Sequence, residues 1–194
     1  PGSSRVTCQY QPDSGSSNSG SPSMWPVFSM GISGEATDGL LGRFSEEVGA
    51  RALTTYDYLL IIAIGLNDVA CNKKTKKCRN SMKKFEINFN KLATMAKKLS
   101  KKVVFLTMTP IDEAKLGFAA ATGEAFLTNK MIDDYNKIIK KVCRKHRIRL
   151  MDINAELKKI NYKKLLSDGV HPKVRGYRVI SRMVRKYLER KKLI

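Results

Sequence analysis

The feature that most constrains the fold is Tyr58-Leu-Leu-Ile-Ile-Ala-Ile-Gly65, an unbroken apolar run of strand length, rich in β-branched residues and closed by glycine. A run with no polar face predicts a parallel strand buried on both sides. Val103-Val-Phe-Leu-Thr-Met-Thr109, closed by Pro110, repeats the pattern, and Ile148-Arg-Leu-Met-Asp-Ile153 is a weaker third example. Helix-period stripes lie between and after these runs. Met82, Phe85, Phe89, Leu92, Met95 and Leu99 form one; Ile132, Tyr135, Ile139 and Val142 form a second behind a Thr128 cap; Ile180, Met183, Val184, Tyr187 and Leu188 form a third. Strands alternating with amphipathic helices predict an α/β sandwich on a parallel sheet, with chemistry at the carboxyl ends of the strands.

A chain of 194 residues suits one domain with a substantial core. Residues 1–24 are dominated by Ser, Gly and Pro and read as a poorly determined leading segment, leaving 25–194 as the domain. No apolar stretch reaches the length of about eighteen residues needed to cross a membrane, and no secretory pattern opens the sequence, so the expected location is the cytoplasm. Cys8, Cys71, Cys78 and Cys143 are too scattered for a disulfide scaffold, and the Cys71–Cys78 spacing does not match a zinc knuckle; reduced thiols and no metal are expected. The net charge of +20 attracts polyanions. The lysines are nevertheless dispersed, as in Lys73, Lys74, Lys76 and Lys77 and again in Lys97, Lys98, Lys101 and Lys102, which reads as a solvated surface more than as a dedicated nucleic-acid site.

Three short segments can carry chemistry. Gly65-Leu-Asn67-Asp68 follows the first strand, where a carboxamide can donate to a developing oxyanion; the same residues also suit an ordinary turn. Asp168-Gly-Val-His171-Pro172 precedes the last helix, where a carboxylate three residues from an imidazole can fix its tautomer; a helix-entry loop with an incidental histidine is the alternative. Met30-Gly-Ile-Ser-Gly34-Glu-Ala-Thr37-Asp38 is a small-residue turn entering a helix, either an anion site or a capping loop with Thr37 or Ser33 as cap. The other histidine, His146, ends a helix among basic residues, where it would compensate the helix dipole.

In this order and spacing the three segments resemble the SGNH-type (GDSL) hydrolase family, from about Val27 to Tyr187. The resemblance implies a three-layer α/β/α sandwich on a flavodoxin-like sheet and a serine ester hydrolase that needs no cofactor. It implies an oxyanion hole from the Gly34 backbone and the Asn67 side chain, with His171 as base and Asp168 as its partner. Thr109-Pro110-Ile-Asp112-Glu113 also looks like a strand-end segment of small family members. Substrates across the family include short acyl esters, lysophospholipids, thioesters and acetylated sugars, with selectivity in loops such as the one from Glu113 to Thr128.

The sequence departs from the family at the nucleophile. Members open with an apolar strand leading into Gly-Asp-Ser-Leu/Ile, whereas this chain has Val6-Thr-Cys-Gln-Tyr-Gln-Pro12-Asp13-Ser14-Gly15. Ser14 is the positional nucleophile, with Ser16 and Ser17 nearby. Thr7, Gln9 and Gln11 would be costly in a central strand buried on both faces. A rival expectation is therefore a catalytically impaired member of the fold that binds nucleic acid or anionic surfaces through its positive charge.

Overall fold

A computed structural model describes residues 27–52, 58–116 and 125–194, so Ser14, the segment before it and the Ala119–Gly123 stretch lie outside the described residues. The chain divides into two units, Pro1–Glu35 and Ala36–Ile194. In the first, Ser33 and Gly34 form a turn in which the Glu35 N–H donates to the Ile32 carbonyl at 3.3 Å, and Gly34 has φ +73°.

The second unit runs α1 (Thr37–Gly49), β1 (Leu59–Ile62), α2 (Leu66–Val69), β2 (Cys71–Asn72), α3 (Met82–Leu99), β3 (Lys102–Leu106), β4 (Ala125–Phe126), α4 (Asn129–His146), β5 (Arg149–Met151), α5 (Ile153–Lys158), a 3-10 turn (Tyr162–Leu165) and α6 (Val174–Arg190). Strands β1, β3 and β5 form a parallel sheet in the order β1-β3-β5, with Leu60 opposite Val103 and Phe105 opposite Leu150. Helices cover both faces, giving the α/β/α sandwich. The short β2 and β4 pair antiparallel outside this sheet.

Central β3 explains why its sequence lacks a polar face. Val104 and Leu106 join Met151, Ile153, Leu157 and Leu188 on the side where α6 packs. Phe105 points the other way, its ring 5.5 Å from Phe89, which continues through Phe85 to Tyr135. The helices start where their caps stand: Ser81 Oγ accepts from the Lys84 N–H at 3.3 Å, and Thr128 Oγ1 from the Met131 N–H at 3.2 Å. Arg147, in the left-handed region at φ +53°, ends α4.

Several expectations need correction. β1 has a partner on one edge only among the described residues, and Ile61 is 44% exposed, so burial on both faces does not extend along its whole length. Met82 is 46% exposed because it opens α3, one turn before the stripe meets the core at Phe85. Neither Thr37 nor Ser33 caps α1; the cap position is Ala36, and Thr37 bonds elsewhere. The thiols are not all reduced: Cys71 and Cys78 form a disulfide across an isolated antiparallel bridge, the loop between them doubling back through Asn72 N–H to Lys77 O. Cys143 is free and buried, and that burial pushes its thiol pKa up to about 12. No helix among the described residues is long and apolar enough to cross a membrane.

Candidate active site

The loop before α6 is closed on itself. Leu166 and Pro172 form a bridge, the Ser167 N–H and Oγ both donate to the His171 carbonyl (2.8 and 2.9 Å), and the Lys173 N–H donates to Leu165 O at 2.8 Å. Gly176, one turn into α6, permits this closure: a Cβ there would stand 2.5 Å from Leu165 O and 2.9 Å from Pro172 Cβ. Gly169, at φ +94°, lies against the segment following β3, where a Cβ would come within 2.8 Å of Asp112 O, and its carbonyl accepts from the Asp112 N–H at 2.8 Å.

Held in this loop, Asp168 accepts through Oδ1 from the Val170 N–H at 2.9 Å and the His171 N–H at 2.7 Å, while Oδ2 lies 2.6 Å from His171 Nδ1. Partial burial raises the Asp168 pKa, but the His171 N–H, the imidazole, the Val170 N–H and the positive charge on His171 outweigh it and bring the carboxyl down to about 2. An ionised carboxylate can only accept, so Nδ1 carries a proton, and in the neutral imidazole the lone pair is then on Nε2, the nitrogen away from Asp168. The imidazole is 71% exposed. This is a basic nitrogen, oriented from behind and open in front.

The segment after β1 is built differently. Gly65 has φ +133°, and a Cβ would meet Met108 Sδ at 2.8 Å and Phe85 Cζ at 3.2 Å, so both backbone and space demand glycine. One turn of helix then sends Asn67 outward and Asp68 inward. Asp68 is fully buried and accepts from the Thr37 N–H (3.0 Å to Oδ2), Thr37 Oγ1 (2.5 Å) and Asn80 Nδ2 (2.6 Å). Asn88 Nδ2 donates to Thr37 Oγ1 at 2.9 Å, and the Tyr135 hydroxyl to the Asn80 carbonyl at 2.6 Å. Burial, and then the Asp68 charge, pushes the Tyr135 phenol pKa upward. The network ties the start of α1 to the turn bearing Asn67. Sequence reading singled out neither Asp68 as its hub nor Asn80 and Asn88 as its spokes; the available signal was Asn88 within an otherwise apolar helix face.

One segment supports both motifs. Residues 107–113 leave β3 with Met108 against Gly65 and Asp112 bound to Gly169. They are fixed in turn by Asn136, which exchanges two hydrogen bonds with the Met108 backbone (2.8 and 3.2 Å), and by Asn129 on Ile111 and Glu113. Asn67 and the Asp168–His171 pair thus belong to loops organised around the carboxyl end of the sheet, as expected for a parallel fold. Gly34 belongs to the first unit, and Ser14 lies outside the described residues. His146 is not part of this arrangement: its Nε2 lies 3.0 Å from Asn90 Oδ1. Burial, with Lys145 and Lys97 nearby, lowers its pKa, which opposes the cationic dipole-compensating role expected from sequence.

The fold is that of the SGNH class of hydrolases. The chain belongs to the GDSL-like lipase/acylhydrolase family, which it matches over residues 14–179. Similar solved structures include a lipase/acylhydrolase from Enterococcus faecalis, 19% identical with a TM-score of 0.61 over 81% of this chain and 72% of that one. An alpha/beta hydrolase, LAE5, from the metagenome of Lake Arreo is 20% identical with a TM-score of 0.57, covering 81% and 68%. The acetylxylan esterase Axe2 of Geobacillus stearothermophilus is 24% identical with a TM-score of 0.57 over the same shares. No curated protein sequence matches the chain.

Proposed function

We propose that this protein is a serine ester hydrolase acting on a small acyl ester. His171 Nε2 removes the proton from Ser14 Oγ as that oxygen attacks the acyl carbonyl, and Asp168 holds the imidazole and balances its charge. The Ser14 and Gly34 N–H groups and Asn67 Nδ2 receive the oxyanion, each such donor worth about 3–4 kcal/mol in the barrier. His171 gives the Ser14 proton to the departing alcohol as the ester C–O bond breaks. The neutral imidazole then takes a proton from water, whose oxygen attacks the acyl group, and returns it to Ser14 Oγ as the acid is released. The reading assigns the domain to residues 25–194 and requires no cofactor. The observation that carries it is the 2.6 Å contact of a strongly acidic Asp168 with His171 Nδ1, which leaves an exposed basic nitrogen. As for location, the Cys71–Cys78 disulfide fits an oxidising compartment better than the cytoplasm expected from the sequence.

The test is reaction of the purified protein with a fluorophosphonate, peptide mass mapping of the adduct, and hydrolysis of a p-nitrophenyl acyl ester. A single adduct on Ser14 with turnover supports the reading. An adduct on Ser16 or Ser17 reassigns the nucleophile. Absence of both adduct and turnover removes the enzyme.

A further inference from the structure

The outer face of α6 carries a row of unspent positive charge. At about 100° per residue, Arg175, Arg178, Arg182 and Lys186 fall within an arc of about 80°. All four are exposed, and none has a carboxylate partner among the described residues. The helix's one acid, Glu189, is engaged by Arg185 at 2.7 Å. The opposite face is occupied by the core, through Val179, Ile180, Met183, Val184 and Leu188, so the basic face is presented outward on a fixed support.

This row differs from the other basic stretches of the molecule. On α4, Lys130, Lys137, Lys140 and Lys141 each meet a carboxylate, so their field is largely cancelled, and the unpaired charge among the described residues is Arg144 and Lys145 at its end. On α3, Lys83, Lys91, Lys97 and Lys98 meet no carboxylate among the described residues, and Lys97 donates to the His146 carbonyl. Lys83, Lys91 and the Lys97–Lys98 pair stand six to eight residues apart, about 9–12 Å along the axis, beyond the Debye length of about 8 Å at physiological salt. The α6 charges are three or four residues apart, about 5–6 Å, so their potentials add. The lysine-rich disulfide loop has no apolar residue between Cys71 and Cys78. By contrast, α6 begins with Val174 and Tyr177, exposed by 69% and 45%. Val174, about 40° from Arg178 around the helix, sets an apolar side chain beside the clustered arginines, which matches a lipid interface, where charge meets headgroups and apolar groups enter the acyl boundary. A nucleic-acid surface would instead call for several stacking aromatics, and the basic arc of this helix carries none.

We infer that the outer face of α6 docks the protein onto anionic membrane surfaces. His171 lies three residues before Val174, so docking brings the Asp168–His171 pair to the lipid. On the hydrolase reading, that makes an ester held in an anionic bilayer the substrate. The docking itself does not depend on catalysis.

The experiment is co-sedimentation of the full chain with vesicles of phosphatidylcholine alone and of phosphatidylcholine and phosphatidylglycerol in equal amounts. Two variants of equal charge change are compared, R175Q/R178Q/R182Q/K186Q and, as control, K83Q/K91Q/K98Q/K101Q. At about fivefold per basic residue, the α6 variant should lose about two to three orders of magnitude in binding to anionic vesicles, and the control less than about tenfold. The two-residue variant R178Q/R182Q should lose about 25-fold and serves if the fourfold variant melts early. Equal binding of wild type to both vesicles, or an equal loss in the control, overturns the inference. So does an α6 variant that keeps vesicle binding while losing affinity for a single-stranded oligonucleotide, which would assign the face to nucleic acid. Vesicle binding is read without ester turnover, so failure here leaves the hydrolase reading standing, and failure of turnover leaves this one standing.

Discussion

Asp68 and Asp168 both sit in short motifs beyond the sheet, and the molecule uses them in opposite ways. Asp68 is sealed from solvent and has its oxygens filled by Thr37 and Asn80. Asp168 is partly exposed and reserves one oxygen for an imidazole that faces outward. A buried carboxylate surrounded by donors is costly to disturb and has no freedom to act on a ligand. An exposed one contributes little to stability and is available to steer a proton. The difference teaches that the first acid holds the scaffold, while the second is the one that the proposed hydrolase mechanism can use.

The comparison breaks most directly at His171. His171→Ala should lower kcat for a p-nitrophenyl ester by about 10^4- to 10^6-fold. Its melting temperature should stay within about 2 °C of wild type. A variant that keeps its activity would remove the dyad from the reaction. Asp68→Ala should do the reverse in kind, because Thr37 N–H, Thr37 Oγ1 and Asn80 Nδ2 lose their acceptor; urea unfolding should show a loss of about 3–5 kcal/mol. A loss below about 1 kcal/mol would mean that the network is not structural.

Gly176→Ala sharpens the contrast from the backbone side. Its methyl must displace Leu165 O, which should cost about 1–3 kcal/mol in denaturant and, by shifting the His171 loop, reduce kcat about 10- to 100-fold. Unchanged kcat in a destabilised protein would separate the loop from the chemistry.

The smallest effect is electrostatic. The folded Asp168 pKa of about 2 is below the unfolded value of about 3.9, so its stabilising contribution is present above about pH 4 and is lost as pH falls through about 2. Carboxyl NMR should give a wild-type midpoint near 2. His171→Ala should raise it only partly, since the backbone N–H donors of residues 170 and 171 remain. A wild-type midpoint at the ordinary aspartate value would show that the pair does not form in solution.

The two motifs were not equally legible in the sequence. Asp168 and His171 are three residues apart, so their pairing is local and their spacing announces it. Asp68 reaches Thr37 and Asn80 across 31 and 12 residues, and no periodicity records a polar contact made by tertiary packing. The same division holds for the fold. β3 is plain in the sequence because both its faces are apolar, and Thr128 is plain because a cap is a local bond. Exposure of Ile61 and Met82 was hidden because position in the sheet or helix, not residue type, decides it. The disulfide was hidden because its loop length matches no familiar motif, and only the reversal through Asn72 and Lys77 brings the sulfurs together.

Burial of Cys143 also has a chemical consequence. A thiol with a pKa of about 12 is almost never a thiolate at neutral pH, and only the thiolate attacks a disulfide. The second unit can therefore keep a closed Cys71–Cys78 bridge and a free sulfhydryl in one chain without shuffling between them. Maleimide or iodoacetamide added to the native protein should pass Cys143 by, so its alkylation would serve as a clock for unfolding.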